Sequence, residues 1–207
     1  GDIVPTDIGD VPLAFQANPS TPDAGGVASE FSAFEHIIGS EQRDIITGGY
    51  ILSPVIFEGN GGADVLYVSQ FTTGELFGGD GDDVIVGGLG ADDLYGGAGA
   101  DIFVIKSAAD SFGPAGRDVI RGPDAFQIGA DLIDISSIDG DVSTRGNESF
   151  QLVREVETGR SELVLTDIGD FTLVEGYNNG DASRDFYLLV EDMGRLAGHY
   201  SETDFIL

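Results

Sequence analysis

Large apolar residues recur every nine positions between residues 78 and 104: Ile85, Leu94 and Phe103. Each is the centre of a three-residue stretch and each is preceded by a glycine-rich turn. A helix spaces its apolar stripe at three and four residues, whereas a strand alternates its side chains, so each central residue faces away from its two neighbours. The pattern predicts short strands at 84–86, 93–95 and 102–104, and Val65-Leu66-Tyr67 and Glu75-Leu76-Phe77 extend it toward the amino terminus. Farther along, Asp131-Leu132-Ile133-Asp134-Ile135 reads as a strand with apolar residues on both faces. Residues 150–157, 161–166, 171–175 and 186–190 are separated by turn signals at Thr158-Gly159, Ile168-Gly169-Asp170 and Asn178-Asn179-Gly180. They predict a meander of hairpins. Residues 108–112 and 191–197 leave room for a turn or two of helix. The expected fold class is all-β: a parallel β-roll over residues 31–122, then an antiparallel β meander packed on it over 123–207. Residues 1–30, which carry Pro5, Pro12, Pro19 and Pro22, read as an extended amino-terminal arm.

Read in register from Gly78, one nine-residue unit occurs three times without a gap. The copies are Gly78-Gly79-Asp80-Gly81-Asp82-Asp83-Val84-Ile85-Val86, Gly87-Gly88-Leu89-Gly90-Ala91-Asp92-Asp93-Leu94-Tyr95 and Gly96-Gly97-Ala98-Gly99-Ala100-Asp101-Ile102-Phe103-Val104. Each matches the calcium-binding nonapeptide G-G-x-G-x-D-x-U-x in full. A further copy is Gly59-Asn60-Gly61-Gly62-Ala63-Asp64-Val65-Leu66-Tyr67, and an eroded one over 34–46 retains Gly39 and Asp44. Residues 68–77 lack the turn glycines and the aspartate, so that coil is expected to keep its strand at 75–77 and bind no ion at its turn. Glycines at positions one, two and four let the backbone adopt positive φ, and such a turn aims several carbonyl oxygens inward. Asp83, Asp92 and Asp101 add carboxylate oxygens, and calcium takes six to eight oxygens at about 2.3–2.6 Å. Eighteen residues make one coil, so Asp83 stacks under Asp101 on one side of the roll and Asp92 lies on the other. Each ion would sit between like turns of two coils. Asp118 lies close to one coil beyond Asp101. Without ions, the same Gly/Asp-rich tract reads as disordered.

The alternation of coils places strands 65–67, 84–86 and 102–104 in one sheet. Their outward positions, Val65, Tyr67, Val84, Val86, Ile102 and Val104, make an apolar face too large to stay wet. The opposite sheet turns Glu75, Asp93 and Tyr95 outward. The expectation is that the carboxy-terminal third covers the first sheet and that the second faces solvent.

Charge sharpens this picture. The 207 residues include 37 acidic against 9 basic ones, a formal net charge of −28, and no cysteine. A surface this negative excludes nucleic acid and anionic membrane as partners, since both need basic residues. It suits multivalent cations. Self-repulsion on this scale opposes compaction, so counter-charge has to help the chain fold. No disulfide framework is possible. No apolar run reaches membrane-span length, and no amino-terminal signal peptide is visible. The chain starts Gly1-Asp2 without an initiator Met, as a trimmed form, a processed form or a piece of something longer.

These residues resemble the RTX (repeats-in-toxin) proteins, and more closely the carboxy-terminal calcium-binding domain of serralysin-type secreted proteases, without the protease domain. The nonapeptides at 59–67 and 78–104 carry the resemblance. The exit segment Gly99-Ala100-Asp101-Ile102-Phe103-Val104, Asp110-Ser111, Asp118-Val119-Ile120, Asp131-Leu132-Ile133-Asp134-Ile135-Ser136 and the terminal Asp204-Phe205-Ile206-Leu207 extend it. It spans residues 34–207 and implies a parallel β-roll with several Ca2+ ions in its turns. Position six would give carboxylates, here Asp64, Asp83, Asp92 and Asp101. Positions two and four would give carbonyls, here Gly62, Gly79, Gly81, Gly88, Gly90, Gly97 and Gly99. Asp110 and Asp118 match the exit segment, where the family places further ligands, although Gly122-Pro123 stands where the family continues with an Asp-Phe pair. The resemblance also implies a secreted, extracellular protein, exported by type I secretion machinery through an uncleaved carboxy-terminal signal.

Catalytic chemistry is not legible. A serralysin protease needs a His-Glu-x-x-His helix, and the chain has none; His36 and His199 lie far apart without a second ligand at zinc spacing. No G-x-S-x-G elbow occurs, and acidic pairs are too abundant for any one to stand out. The reading is a calcium-binding module, not an enzyme, whose folding is driven by Ca2+ in its turns and supports export and extracellular stability. Two others stand beside it. One is a glycan- or protein-binding module on the same scaffold, for which Tyr67, Tyr95, Tyr177 and Tyr187 would form an exposed groove. The other is the carboxy-terminal part of a larger secreted enzyme.

Overall fold

The computed structural model describes residues 13–14, 36–48, 54–68, 73–113, 116–122, 126–181, 183–193 and 197–207. The expected arm at 1–30 lies outside them, apart from one short strand, as do residues 69–72 of the degenerate coil. In chain order the strands are β1 (Leu13–Ala14), β2 (His36–Ile38), β3 (Asp44–Gly48), β4 (Val55–Gly61), β5 (Val65–Val68), β6 (Gly74–Asp80), β7 (Val84–Val86) and β8 (Asp93–Ala98). They continue as β9 (Ile102–Val104), β10 (Val119–Ile120), β11 (Leu132–Asp134), β12 (Gln151–Val153), β13 (Glu162–Asp167), β14 (Phe171–Tyr177), β15 (Phe186–Glu191) and β16 (Phe205–Ile206). Of the two stretches with room for helix, 108–110 forms a turn, and a single 3-10 turn, Ala197–His199, touches the second.

Successive strands from β2 to β9 fall alternately into two sheets. One runs β1-β3-β5-β7-β9-β11-β16, the other β12-β13-β14-β15-β10-β8-β6-β4-β2. Pairing inside the roll is parallel, with Val65 opposite Val84, Val84 opposite Ile102 and Leu76 opposite Leu94. Each strand's neighbour comes from one coil away because the chain crosses to the other sheet before returning. The central residue of each short strand points between the sheets: Leu66, Leu76, Ile85, Leu94, Phe103 and Ile133 are fully buried. Burial of such a side chain is worth about 1.5–3 kcal/mol. The same core runs on without a break into Phe150, Leu163, Val174, Phe186, Leu188 and Phe205.

The roll and the antiparallel meander are both present, the latter as β13-β14-β15. Two details depart from expectation. The meander does not lie on the apolar outer face of the first sheet, where Val86 is buried and Val65, Tyr67, Val84, Ile102 and Val104 remain half-buried. It joins the second sheet edge to edge, β15 pairing in parallel with β10, while β11 and β16 lengthen the first. The free edge of a sheet presents unpaired amides and carbonyls; here β15 satisfies them, Leu189 donating to the Asp118 carbonyl at 3.1 Å and Tyr187 to that of Ser111 at 3.0 Å. The second departure is at β12 and β13, which pair in parallel and not as a hairpin. The Glu162 carboxylate gathers the amides of Glu157, Thr158 and Gly159. This folds the connection back to the start of β13.

Candidate metal centre

Each repeat turn delivers its aspartate to the interior just ahead of a strand. Asp64, Asp83, Asp92 and Asp101 are at most 1% exposed. Their Oδ1 atoms build two ladders. On one side of the roll Asp64 accepts the N–H of Asp44 at 2.7 Å, Asp83 that of Asp64 at 2.8 Å, and Asp101 that of Asp83 at 3.0 Å; Asp131 then accepts that of Asp101 at 3.0 Å. On the other side Asp92 accepts the N–H of Gly74 at 2.6 Å and Asp118 that of Asp92 at 3.1 Å. Every rung ties one coil to the next. The second oxygen behaves differently: Oδ2 of Asp64, Asp83, Asp92, Asp101 and Asp118 is buried and has no hydrogen-bond partner.

The glycines set the carbonyls around these oxygens. Gly62, Gly79, Gly81, Gly88, Gly90, Gly97 and Gly99 all have positive φ. The requirement is plainest at Gly81, with φ of +128°, where a Cβ would collide with the Gly62 carbonyl oxygen of the adjacent coil. Gly79 meets the Asn60 carbonyl in the same way. Carbonyls at positions two and four therefore stack from coil to coil. Position one is constrained by the aspartate itself, since a Cβ on Gly87 would lie 2.6 Å from Asp92 Oδ2.

Burial pushes these carboxyls up, Asp83 and Asp92 to about 7 and Asp64 and Asp101 to about 6. The donated backbone amides pull the other way, and neighbouring acids such as Asp44, Asp101, Asp93 and Asp131 add to the rise. Burial, followed by the charge of Asp92, holds Asp118 well above the usual carboxylate range. Burial also raises Asp110 and Asp131. Packed together without counter-charge, such groups resist ionisation.

The structure moves one predicted residue and adds two. Asp118 stacks on Asp92, not one coil beyond Asp101, because the connection from β9 to β10, which crosses to the other sheet, is longer than a regular half coil; Asp131 occupies the rung expected for Asp118. Asp110 lies within electrostatic reach of Asp92 and Asp118, while its Oδ2 accepts the amides of Lys106 and Ser107, both at 3.0 Å. Asp44 and Asp131, which are not among the site residues expected from the repeats, belong to the ladder. Their Oδ2 atoms have donors: Ser40 N–H and Oγ–H for Asp44, at 2.5 and 3.0 Å, and the Gln127 N–H for Asp131 at 2.6 Å. The signal for Asp44 was its place at position six of the eroded copy. Among the described residues no three His, Cys, Asp or Glu side chains cluster as metal ligands; each repeat turn carries one buried aspartate at position six.

The other singled-out residues have packing roles. Lys106 Nζ sits 3.9 Å from the ring centroid of Tyr67, Tyr95 stacks on Phe77 at 4.3 Å, and Tyr177 and Tyr187 are buried. His36 Nε2 lies 2.7 Å from Glu58 Oε1, and His199 is in a 3-10 turn.

The family model described as peptidase M10 serralysin C terminal matches residues 23–207. The chain belongs to that family. As a serralysin C-terminal domain it is a β-roll module of the calcium-binding kind. Among solved structures, the R3 subunit of the mannuronan C5-epimerase AlgE6 from Azotobacter vinelandii is 24% identical, with 88% of this chain and 85% of that chain covered and a TM-score of 0.41. The R2 subunit of the same epimerase is 23% identical, with 84% and 92% covered and a TM-score of 0.43. No curated protein matches the domain. Among its described residues no helix is long and apolar enough to cross a membrane.

Proposed function

We propose that this domain folds by taking up calcium in its repeat turns and thereby couples folding to arrival outside the cell. Asp64, Asp83, Asp92 and Asp101 would give carboxylate oxygens, and Gly62, Gly79, Gly81, Gly88, Gly90, Gly97 and Gly99 their carbonyls. Asp118 and Asp110 would serve the exit turn, the first as a ligand and the second by its charge and by shaping that turn. The observation that supports this reading is the row of buried Oδ2 atoms without donors. A buried carboxylate left unpaired is costly, and an oxygen-only donor set suits a hard divalent cation. Bound Ca2+ supplies positive charge and six to eight coordination positions for such oxygens. The protein's own contribution is positional: Oδ1 of each aspartate is fixed on an amide, so Oδ2 is held in place, and the glycines bring carbonyls of adjacent coils together.

Extracellular calcium modules have dissociation constants of about 10⁻⁴–10⁻³ M. At millimolar calcium each site then contributes roughly 0.4–1.4 kcal/mol by mass action. Several sites together rival the ~5–15 kcal/mol net stability of a domain. In a low-calcium cytosol the chain would stay loose enough to thread a type I secretion channel, and it would fold outside. In this reading residues 31–122 bind the ions, residues 123–207 cap the roll and bear the export signal, and the module has no catalytic part of its own. The four tyrosines do not share an exposed groove of the kind a glycan-binding reading needs: Tyr177 and Tyr187 are buried, Tyr67 lies under Lys106, and Tyr95, stacked on Phe77, lines a cleft without the other three. Calorimetric titration of the chelated chain with CaCl2, followed in parallel by circular dichroism, tests the proposal. Heat from several sites with a matching gain of β signal is expected; no heat, with a spectrum indifferent to chelator, would end it.

A further inference from the structure

Not every orphaned aspartate lies in the repeats. Asp192, just beyond β15, is 5% exposed. Its Oδ2 accepts the Thr172 hydroxyl at 2.6 Å and the Tyr200 hydroxyl at 3.3 Å, whereas its Oδ1 is buried without a hydrogen-bond partner. Asp192 lines a cleft of about 880 Å3 at the carboxy-terminal ends of β6, β8, β10 and β15, together with Tyr95, Arg121, Phe126, Glu191 and Met193. That volume falls within the ~300–1,000 Å3 typical of small-ligand sites.

The walls define the chemistry. Tyr95 gives aromatic surface at the edge of the buried Phe126, and Met193 stands 68% exposed with φ of +54°, a conformation uncommon outside glycine. Glu191 adds a second carboxylate, and the cleft's arginine, Arg121, is already paired with Asp93. Around Asp192 both neighbouring hydroxyls are directed at Oδ2, while Gly79, Asp80 and Gly97 of the repeat turns line the far side of the same cleft. A cation that brings its own N–H donors and an apolar body suits a cleft that joins three carboxylates to aromatic surface, since a charge-assisted hydrogen bond needs only one acceptor oxygen.

We propose that this cleft binds an organic cation, a primary ammonium or guanidinium on an apolar stem, with its charged end on Asp192 Oδ1. The group would come either from a free diamine or from a lysine or arginine side chain of a partner peptide. The test uses the full chain saturated with calcium, at physiological ionic strength so that diffuse attraction to the acidic surface is screened. It is titrated with cadaverine, with a blocked lysine tripeptide, and with the same tripeptide carrying norleucine. Binding of cadaverine alone identifies a free amine, and binding of the lysine peptide alone a partner chain. In either case Asp192→Asn should weaken binding at least about tenfold, Glu191→Gln should weaken it less, and calcium uptake should be unchanged. Amide shift mapping on the unsubstituted chain keeps the test independent of whether Asp192→Asn folds: shifts should centre on Tyr95, Arg121 and residues 191–193. The proposal is overturned if neither cation binds, if norleucine binds as well as lysine, if a folded Asp192→Asn chain binds undiminished, or if the shifts fall on turns away from the cleft, such as residues 61–64 and 88–92.

Discussion

An aspartate of the repeat has two oxygens with two separate tasks, and substitutions can part them. Asp83 Oδ1 holds the Asp64 amide while Oδ2 is left for an ion. Asp83→Asn keeps an acceptor but removes the charge, so it should reduce the calcium bound at saturation in a calorimetric titration. Asp83→Ala removes the amide's partner as well, and should cost a further ~1.5–3 kcal/mol of stability measured by urea unfolding in calcium. Gly81→Ala should be worse tolerated than either. Its φ of +128° is strained for any residue with a Cβ, and that atom would collide with the Gly62 carbonyl oxygen. Strain alone costs about 1–3 kcal/mol, and the same unfolding experiment reads the loss. The raised carboxyls give a pH dependence whose sign is fixed. Folded without calcium, Asp64, Asp83, Asp92 and Asp101 hold their protons up to about 6 or 7, against an ordinary value of 3.8. The folded state then binds more protons than the unfolded one, so stability falls as pH rises. The contribution is fully present below about pH 4 and is lost through about pH 7. Melting temperatures in chelator should drop across that window, and added calcium should flatten or reverse the slope.

Strands as short as three residues hold together here because each is one rung of a parallel stack. The terminal strand β16 shows what a rung is worth: Phe205 is 6% exposed in the shared core and pairs opposite Ile133. Phe205→Ala should destabilise the calcium-loaded protein by about 3–5 kcal/mol in urea unfolding. This is also the scale at which the sequence was most and least readable. The strands at 84–86 and 102–104 were legible because the close approach of coils forces glycine at fixed places and leaves one buried position per strand. Counting in eighteens misplaces Asp118 because it assumes an unbroken coil, whereas the connection from β9 to β10 is longer than a regular half coil. The parallel pairing of β12 with β13 was hidden because Thr158-Gly159 looks like a hairpin turn, while the fold there depends on a side chain, Glu162, collecting amides. Asp44 and Asp131 stand in the eroded copy and the exit segment, but their turns lack the full glycine signature that marks a site, Ser40 and Gln127 supplying donors where the perfect repeats leave an oxygen open.

For the molecule as a whole, one core from Ile37 to Phe205 spans the roll and the meander, so the two should not unfold separately. Removal of calcium ought to produce a single transition in which circular dichroism of the strands and small-angle scattering change together. Scattering should report growth from a radius near 17 Å, expected of a compact chain of this length, toward about 49 Å for an unfolded one. The net charge of −28 drives that expansion once counter-ions leave. Two probes moving at different calcium concentrations would show that the meander stands without the roll.

The serine beneath the first rung has a counterpart beneath the last. Because Ser40 satisfies Asp44 Oδ2 and Gln127 satisfies Asp131 Oδ2, the outermost turns of this ladder are sealed by the chain's own donors, and Asp64, Asp83 and Asp101 between them are left open to an ion. The ions counted by calorimetry should accordingly fall when any of these three is changed to asparagine and stay level when Asp44 or Asp131 is.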